Sequence, residues 1–388
     1  MPPAGSGRRA IAITGDEHDD DYAAALVAAG LHAGLAAAGI TRAESWPDVR
    51  RRLEERRAAG LHAGMKFTYN NPARSTDPRR SLPDAAALVV GAVGYRRRPP
   101  PPLVSRPAGR VASYAWSDHQ DRLRCALKVV AARLKSDGWR ARILIDDNGL
   151  VDREAAWRAG LGWFGKNANL LLPEAGSWFL LGSVLTDAPL PVAAERVDDG
   201  CGSCRRCLDG CPTGAIIEPG VVDARRCLSW LLQIDGDFPR QHRVALGDRI
   251  YGCDDCQEVC PPNRRLEPDA PPAEAGSVAE VALVEMLEAS DEELLDRHGR
   301  WYVPRRDPDN LRRNALVVLG NTAAAGDRRA AAAVRRYLDH PNARLRSHAA
   351  WAARRLGRAD LLRGRHGDPA VADELAHPGP PVAGGAGR

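Results

Sequence analysis

Lysine is nearly absent from this chain: four of its 55 basic residues are Lys and 51 are Arg. The preference for Arg is compositional and carries no inference alone, but it makes each lysine conspicuous. Long apolar runs are also missing. No stretch of about 18 apolar residues occurs, which excludes a membrane-spanning helix. Residues 1–21 are Pro/Gly/Arg-rich and then acidic, without the apolar core of a signal peptide. They read as a disordered N-terminus on a cytoplasmic, non-membrane protein. No Gly-x-Gly-x-x-Gly follows a strand and no Walker loop is present, so no nucleotide cofactor is announced.

What is present suffices for several folded parts. At 388 residues, 44% of them hydrophobic, the chain exceeds one ordinary core and predicts two or three domains. Residues 22–38 (Ala/Leu-rich, ending near Gly39) and the highly charged 45–60 read as helices. The Val-rich run 86–95 reads as a buried strand, and the Pro-rich 96–107 as a surface loop. Residues 118–137 read as a long helix and 142–145 as a strand stopping at Asp146-Asp147-Asn148-Gly149, a strong turn signal. A helix over 153–159 and strands over 167–172 and 177–185 follow. This alternation predicts an α/β domain over 22–195.

Nine cysteines in a cytosolic chain point to metal or redox chemistry rather than disulfides. Eight lie between Cys201 and Cys260. The first run is Cys201-x2-Cys204-x2-Cys207-x3-Cys211-Pro212. In bacterial ferredoxins such a run binds [4Fe–4S] clusters, and its fourth cysteine ligates the other cluster. The second set is Cys227, standing alone, and Cys253-x2-Cys256-x3-Cys260-Pro261. The crossover rule assigns Cys201, Cys204, Cys207 and Cys260 to one cluster, and Cys211, Cys227, Cys253 and Cys256 to the other. Sulfide-caged iron takes thiolate donors. Two four-cysteine zinc sites are the alternative, but they do not require the CxxCxxCxxxCP run. Cys125, in the 118–137 helix, reads as an ordinary core residue. The cluster segment spans 196–267, its short pieces stapled by the metal.

The remainder is helical and basic. Residues 297–366 hold 17 Arg and five Asp, with no Lys or Glu, whereas the rest of the chain is net acidic under an overall +5. That asymmetry favours a polyanion partner, nucleic acid first. Leu311-Arg-Arg-Asn-Ala315 recurs as Leu345-Arg-Ser-His-Ala349, a 34-residue period that suits paired-helix repeats over 278–366. The Pro/Gly/Ala-rich 367–388 reads as a disordered tail.

A wire for electrons needs a terminus. The densest candidate is the stretch from Asp146 to Arg153 followed by Gly160, Gly162, Gly165, Lys166 and Asn167. Those glycines would let backbone approach a large ligand closely, and Asp146 sits at a strand end where an acid can reach a pocket. The bland reading, a glycine-rich connection with capping aspartates, stands equal on spacing alone. There is no Asp-x-His-x-x-Gly box of the kind that supplies histidine to cobalamin.

The stretches DDNGLVDR, AGLGWFGKN, CGSCRRCLDGCPTGA, DARRCLS and RIYGCDDCQ resemble the epoxyqueuosine reductase family, over roughly residues 22–360. The resemblance implies a reductive-dehalogenase-like α/β domain holding cobalamin base-off, a ferredoxin-like two-cluster segment and a C-terminal HEAT-like helical region. It implies reduction of tRNA-borne epoxyqueuosine at the wobble position to the alkene, with Asp146 as proton donor. A donor of this kind works best with its pKa raised by burial. Asn167, Leu170, Arg74, Asp254 and Asp255 match positions near the corrin. The expected partners are tRNA and a low-potential electron donor, and the expected state is a monomer. Arg312, Arg313, Arg344, Arg346, Arg354 and Arg355, at helical spacings, are read as lining one RNA-binding face. A related reductase with another electrophilic substrate, and a plain electron carrier, are the alternatives. The chain departs from the family at Asp118-His119-Gln120, where Asp-Tyr-His is usual, and over 65–81.

Overall fold

The structure is a computed structural model that describes residues 9–10, 13–14, 17–193 and 196–379. The chain divides into two compact units, each assembled from separated segments. One comprises Met1–Arg98, Asp118–Arg225 and Asp255–Pro271, the other Pro99–Ser117, Arg226–Asp254 and Pro272–Arg388. The cysteine-rich segment, read from sequence as one domain over 196–267, is therefore shared between two units.

The first unit is built on a five-stranded sheet in the order Arg9–Ala10, Ala37–Arg42, Ala87–Gly94, Phe179–Thr186, Ala141–Leu144. Only the first pair is parallel; the others are antiparallel. The α/β content is as expected, but the central pairings are not those of a parallel α/β sheet. Strand Ala87–Gly94 shows why the sequence reads as an unbroken apolar run. Its alternate residues point to opposite faces. Ala87, Val89 and Val93 enter the core shared with helices Glu17–His32 and His119–Ser136. Leu88, Val90 and Ala92 enter a second core with Trp46, Leu150, Ala155 and Leu170. Both faces are covered, so no polar alternation survives. Gly91 and Gly182 sit opposite one another; a Cβ on Gly91 would collide with Leu35, and one on Gly182 with Ile145 and with Leu127 of helix His119–Ser136. They admit the helix to close range.

Several local expectations are corrected. The first helix runs over Glu17–His32, not 22–38, and Ala37–Arg42 is a strand. Gly34, at φ 113°, stops the helix before Gly39 is reached. Part of the segment expected to be disordered over 1–21 thus begins this helix and contributes Arg9–Ala10 and Ile13–Thr14 to sheets; the remaining residues of that segment lie outside the described residues. Of the strand expected over 167–172 only Leu170–Leu171 forms. The 119–136 helix matches its expectation, with Asp118 as N-cap accepting from Asp121 N at 3.0 Å. Cys125 on this helix is exposed, not core, because it falls between the inward-facing Leu123 and Leu127.

The second unit has a three-stranded sheet with Ala108–Val111 between Arg249–Tyr251 (parallel) and Glu280–Ala282 (antiparallel). A Cβ on Gly109 would stand 2.8 Å from the Ile250 Cβ, so the strands and helix Leu283–Glu288 close over a bare backbone. Helices Asp309–Thr322, Arg328–Leu338, Ala343–Arg355 and Pro369–Ala376 pack with this sheet around one continuous core. Their starts are capped as the sequence dictates: Asp327, Asn342 and Asp368 accept from the first-turn amides. Leu311 and Ala315, and their counterparts Leu345 and Ala349, are all buried. Burying such a leucine contributes about 1.5–3 kcal/mol. The tail expected to be disordered from 367 instead forms helix Pro369–Ala376 with Val371 and Glu374 buried; residues 380–388 lie outside the described residues. No helix among the described residues is long and apolar enough to cross a membrane.

Candidate active site and cluster loops

In the first unit, strand Ala141–Leu144 ends two residues before Asp146, which adopts φ 51°. The turn beyond it is braced from within and from outside. Asp147 Oδ1 accepts from Gly149 N at 2.6 Å, and buried Ser75 donates Oγ–H to Asn148 O at 3.0 Å. A Cβ on Gly149 would lie 2.5 Å from Ser81 Oγ. Residues from the 65–81 segment therefore hold the turn, and Arg74 Nη2 stands 3.9 Å from Asp147 Oδ1. Asp146 itself is exposed, contrary to the expected burial, and its Oδ2 accepts from Gln120 Nε2 at 3.4 Å.

The carboxyl that burial raises is Asp152, which opens helix Asp152–Arg158. Burial first, then the charge of Asp146, push its pKa well above the carboxylate range, against the lowering effect of Arg153. Its Oδ1 is buried without a hydrogen-bond partner. Arg153, next along, keeps solvent-accessible surface yet is enclosed densely enough for burial to lower its pKa. Asp152 and Arg153 were within the sequence motif but carried no assigned role; the signal was their place in DDNGLVDR.

Arg153 Nη1 donates to Ala168 O at 3.0 Å, in the tight turn 165–169 where Ala168 takes φ 63°. This turn joins strands Trp163–Phe164 and Leu170–Leu171. The glycines expected to admit a ligand instead serve the chain. A Cβ on Gly162 would fall 1.9 Å from Leu171 O, and one on Gly165 2.3 Å from the Leu171 side chain. Gly160, at φ 72°, closes helix Asp152–Arg158: Gly160 N reaches Trp157 O and Leu161 N reaches Ala156 O. Leu170 is buried in the sheet core. Asn167, also buried, accepts from Asn169 N at 3.1 Å and donates Nδ2–H to Cys256 O at 3.3 Å. Lys166 Nζ donates to Gly202 O at 2.5 Å and Cys204 O at 3.0 Å.

Six of the eight expected cluster ligands lie in this unit, among them all four assigned to one cluster, Cys201, Cys204, Cys207 and Cys260. Cys204 N closes a turn on Cys201 O, with Gly202 at φ 48°; Cys207 lies in helix Arg206–Asp209; Cys260 caps helix Pro261–Arg265. Burial raises the Cys260 thiol to about 11, and the charges of Cys207, Cys201 and Cys204 push the same way. Cys207 is raised by burial, with Cys201 and Cys204 adding. These four thiols therefore lie near enough to influence one another. Among the described residues no three His, Cys, Asp or Glu side chains stand close enough to share one ion. A four-iron cluster takes one thiolate per iron, so its donors stand wider apart than a single zinc ion's. The irons' positive charge would overcome the reluctance of crowded, buried thiols to ionise. Cys211 Sγ accepts from Ala215 N at 3.2 Å. The Cys256–Cys260 loop rests on a buried network: Gln257 Nε2 donates to Tyr95 Oη, Ser177 O and Ser177 Oγ, while Asn263 Nδ2 donates to Gln257 O and Ser177 Oγ. Asp255 opens the helix Asp255–Glu258 that carries Cys256.

In the second unit, Cys227 is the N-cap of helix Leu228–Leu231, and Cys253 packs against the core. Gly252, at φ 71°, leaves no room for a Cβ beside Ala112 and Tyr114. Asp254, buried, accepts from Ser113 N at 2.6 Å.

The arginines expected to line an RNA-binding face are mostly internal staples. Arg313 is fully buried and donates to the carbonyls of Leu231, Leu232, Ile234 and Gly236. Burial, and then Arg344, pull its pKa down to about 9. Arg312 is buried against Asp309 and Asp291; Arg344 pairs with Asp235 and Asp307, Arg346 with Asp368, and Arg354 with Glu374. Arg355 Nε donates to Asn321 Oδ1 at 3.3 Å. The exposed arginines are others, among them Arg300, Arg328, Arg335 and Arg363.

Ferredoxin-type cysteine runs on the loops of an α/β unit define an iron–sulfur oxidoreductase. Residues 200–263 match the 4Fe-4S double cluster binding domain. The chain is 32% identical to the epoxyqueuosine reductase of Bacillus subtilis (strain 168) over 88% of its own length and 87% of the relative's. With that of Burkholderia pseudomallei (strain K96243) it shares 32% identity over 91% and 96% of the two chains. A crystal structure of epoxyqueuosine reductase with a tRNA-Tyr epoxyqueuosine-modified stem loop superposes with TM-score 0.81 at 29% identity, covering 92% of this chain and 98% of that one. The chain belongs to the epoxyqueuosine reductase family.

Proposed function

We propose that the chain reduces epoxyqueuosine to queuosine at the wobble position of tRNA, with electrons passing through two [4Fe–4S] clusters to cobalamin. Family membership supports the reaction, and a solved relative was crystallised with the modified stem loop. The observation that carries the reading in this chain is one continuous set of contacts. Asp152 is influenced by Asp146 and by its neighbour Arg153, Arg153 fixes the 165–169 turn, and that turn reaches the loops of Cys204 and Cys256.

Clusters would be held by Cys201, Cys204, Cys207 and Cys260, and by Cys211, Cys227, Cys253 and Cys256. A buried acceptor without a donor, Asp152 Oδ1, suits a ligand whose rim is rich in amide N–H groups, as a corrin's is. Arg74, Asn167, Asp254 and Asp255 are the proposed corrin neighbours, with Leu170 supporting them from the core. When bound, cobalamin supplies reduced cobalt as a nucleophile toward the epoxide. The chain's own part is protonic. The net change consumes two electrons and two protons and releases water. Asp146, on an exposed turn, delivers a proton to the departing oxygen, while Asp152, raised by burial, holds a second proton nearby.

Helices Asp309–Thr322, Arg328–Leu338 and Ala343–Arg355 form the HEAT-like part, and its exposed arginines contact tRNA phosphates. A low-potential donor supplies the electrons to a monomeric, cytoplasmic enzyme. Nucleoside mass spectrometry of tRNA from a deletion strain tests the reading. Epoxyqueuosine should accumulate and queuosine disappear; an unchanged nucleoside profile would refute the assignment.

A further inference from the structure

Lys166 is one of four lysines in the chain, and nothing in the proposed chemistry uses it. Its ammonium is spent on two carbonyls of one loop, Gly202 O at 2.5 Å and Cys204 O at 3.0 Å. Its backbone is pinned as well: Gly220 N donates to Lys166 O at 2.9 Å. Its neighbour Asn167 holds Cys256 O.

Other charges on this loop are placed where water screens them. Arg205 and Asp209 are each 69% exposed and face one another at 3.9 Å. Such a pair is worth little to anything nearby. Lys166 differs: it is half-buried, and its charge points at the peptide groups flanking a cluster ligand. A positive charge held in partly dehydrated surroundings acts through a lower effective dielectric, so it is felt more strongly.

We infer that Lys166 is a positioning and tuning residue for the cluster held by Cys201, Cys204, Cys207 and Cys260, fastening its loop to the 165–169 turn and raising its reduction potential. The reduced cluster carries one more negative charge than the oxidised one, so a fixed ammonium stabilises it preferentially. Removing the charge also uncovers two carbonyl oxygens, whose negative ends act in the same direction. The cluster becomes easier to fill from a donor than its cysteines alone would make it. This inference rests on the cluster assignment under the proposed function.

The test is an EPR-monitored redox titration of the reconstituted full-length chain without corrin, comparing wild type with K166Q, K166M and K166R. Iron and sulfide content are measured alongside. One of the two clusters should move to a lower midpoint potential in K166Q and K166M, with full iron content in K166Q. K166R, which keeps the charge, should stay near wild type. A purely mechanical staple would leave the potential of an intact cluster unmoved, so unchanged midpoints in K166Q and K166M overturn the inference while the cluster assignment stands. If the wild-type chain itself yields no reducible [4Fe–4S] signal, the cluster assignment fails, and this inference with it.

Discussion

Gln120 Nε2 donates to Asp146 Oδ2 at 3.4 Å, an uncharged amide meeting the proposed proton donor. At 3.4 Å this bond from an uncharged donor is long and is worth about 1 kcal/mol or less. Gln120→Ala should therefore lower kcat by no more than about fivefold, with clusters and corrin retained. Asp146→Asn should keep both cofactors and lose turnover. Single-turnover assays on the loaded enzyme check both, and full activity in D146N would remove Asp146 from proton delivery.

The cysteines divide cleanly. Cys260→Ser removes a thiol that shares its surroundings with Cys201, Cys204 and Cys207. Iron should fall from about eight to about four per chain. Cys125→Ser changes an exposed residue on helix His119–Ser136 and should leave iron content at the wild-type level. Equal iron loss in both variants would contradict the assignment.

His298 predicts an acid limit for the second unit. It is buried and stacks on Trp301 at 4.4 Å, which stacks in turn on Tyr251 at 4.5 Å, two residues before Cys253. Burial, then Arg297 and Arg300, lower its pKa from 6.5 to about 4. The unfolded chain thus takes up the proton more readily than the folded one. The stability this neutral ring contributes is intact above pH about 6.5 and is lost as pH falls toward 4, by up to about 3 kcal/mol. His298→Phe keeps the stack without a proton to gain. Urea midpoints at pH 7 and pH 4.5 should differ less in the variant than in wild type; equal pH slopes would remove His298 as the cause.

Two kinds of arginine should separate by experiment. Arg313→Met deprives four buried carbonyls of their donor and should destabilise by about 3–5 kcal/mol. Arg300→Ala with Arg335→Ala changes exposed side chains and should leave unfolding midpoints in place. It should weaken tRNA binding and reduce the slope of log affinity against log salt by up to about 2. An unaltered slope would remove these two from phosphate contact.

What the sequence disclosed, and what it hid, follows from these same residues. The cysteine run is legible because metal ligation fixes its spacing covalently. Strand Ala87–Gly94 is legible because burial on both faces leaves an apolar run, and helix His119–Ser136 because Asp118 marks its start. Arg313 was misread because a charged residue normally belongs at the surface; only tertiary partners more than 70 residues away justify its burial. The start of the first helix was misread because Glu17-His-Asp-Asp-Asp-Tyr22 reads as a loose acidic terminus. Acidic residues in a first helical turn complement the helix dipole, so that signal was present. Asp152 was overlooked because its enclosure depends on neighbours that the local motif cannot supply.

The tail makes the last case. Arg243 and Glu374 are each 1% exposed and meet at 3.2 Å inside the second unit. Glu374 also takes Arg240 Nε at 2.8 Å, and Arg243 Nη2 lies 3.1 Å from His348 Nε2. His348 Nε2 already accepts from Phe238 N, and burial with the Arg243 charge keeps the ring neutral. Among the described residues, Glu374 is the acid that balances the Arg243 guanidinium most directly. Removing one partner of such a pair leaves a buried charge uncompensated and costs about 3–5 kcal/mol. Glu374→Ala should therefore lower the denaturation midpoint sharply, although composition alone places residue 374 in a dispensable tail. Ending the chain at residue 367 removes helix Pro369–Ala376 together with Glu374 and should destabilise at least as much. Replacing both partners, Arg243→Met with Glu374→Leu, should recover part of the loss, because no unpaired charge remains. A truncated chain as stable as the full one would show that the helix is an ornament on the second unit rather than part of its core.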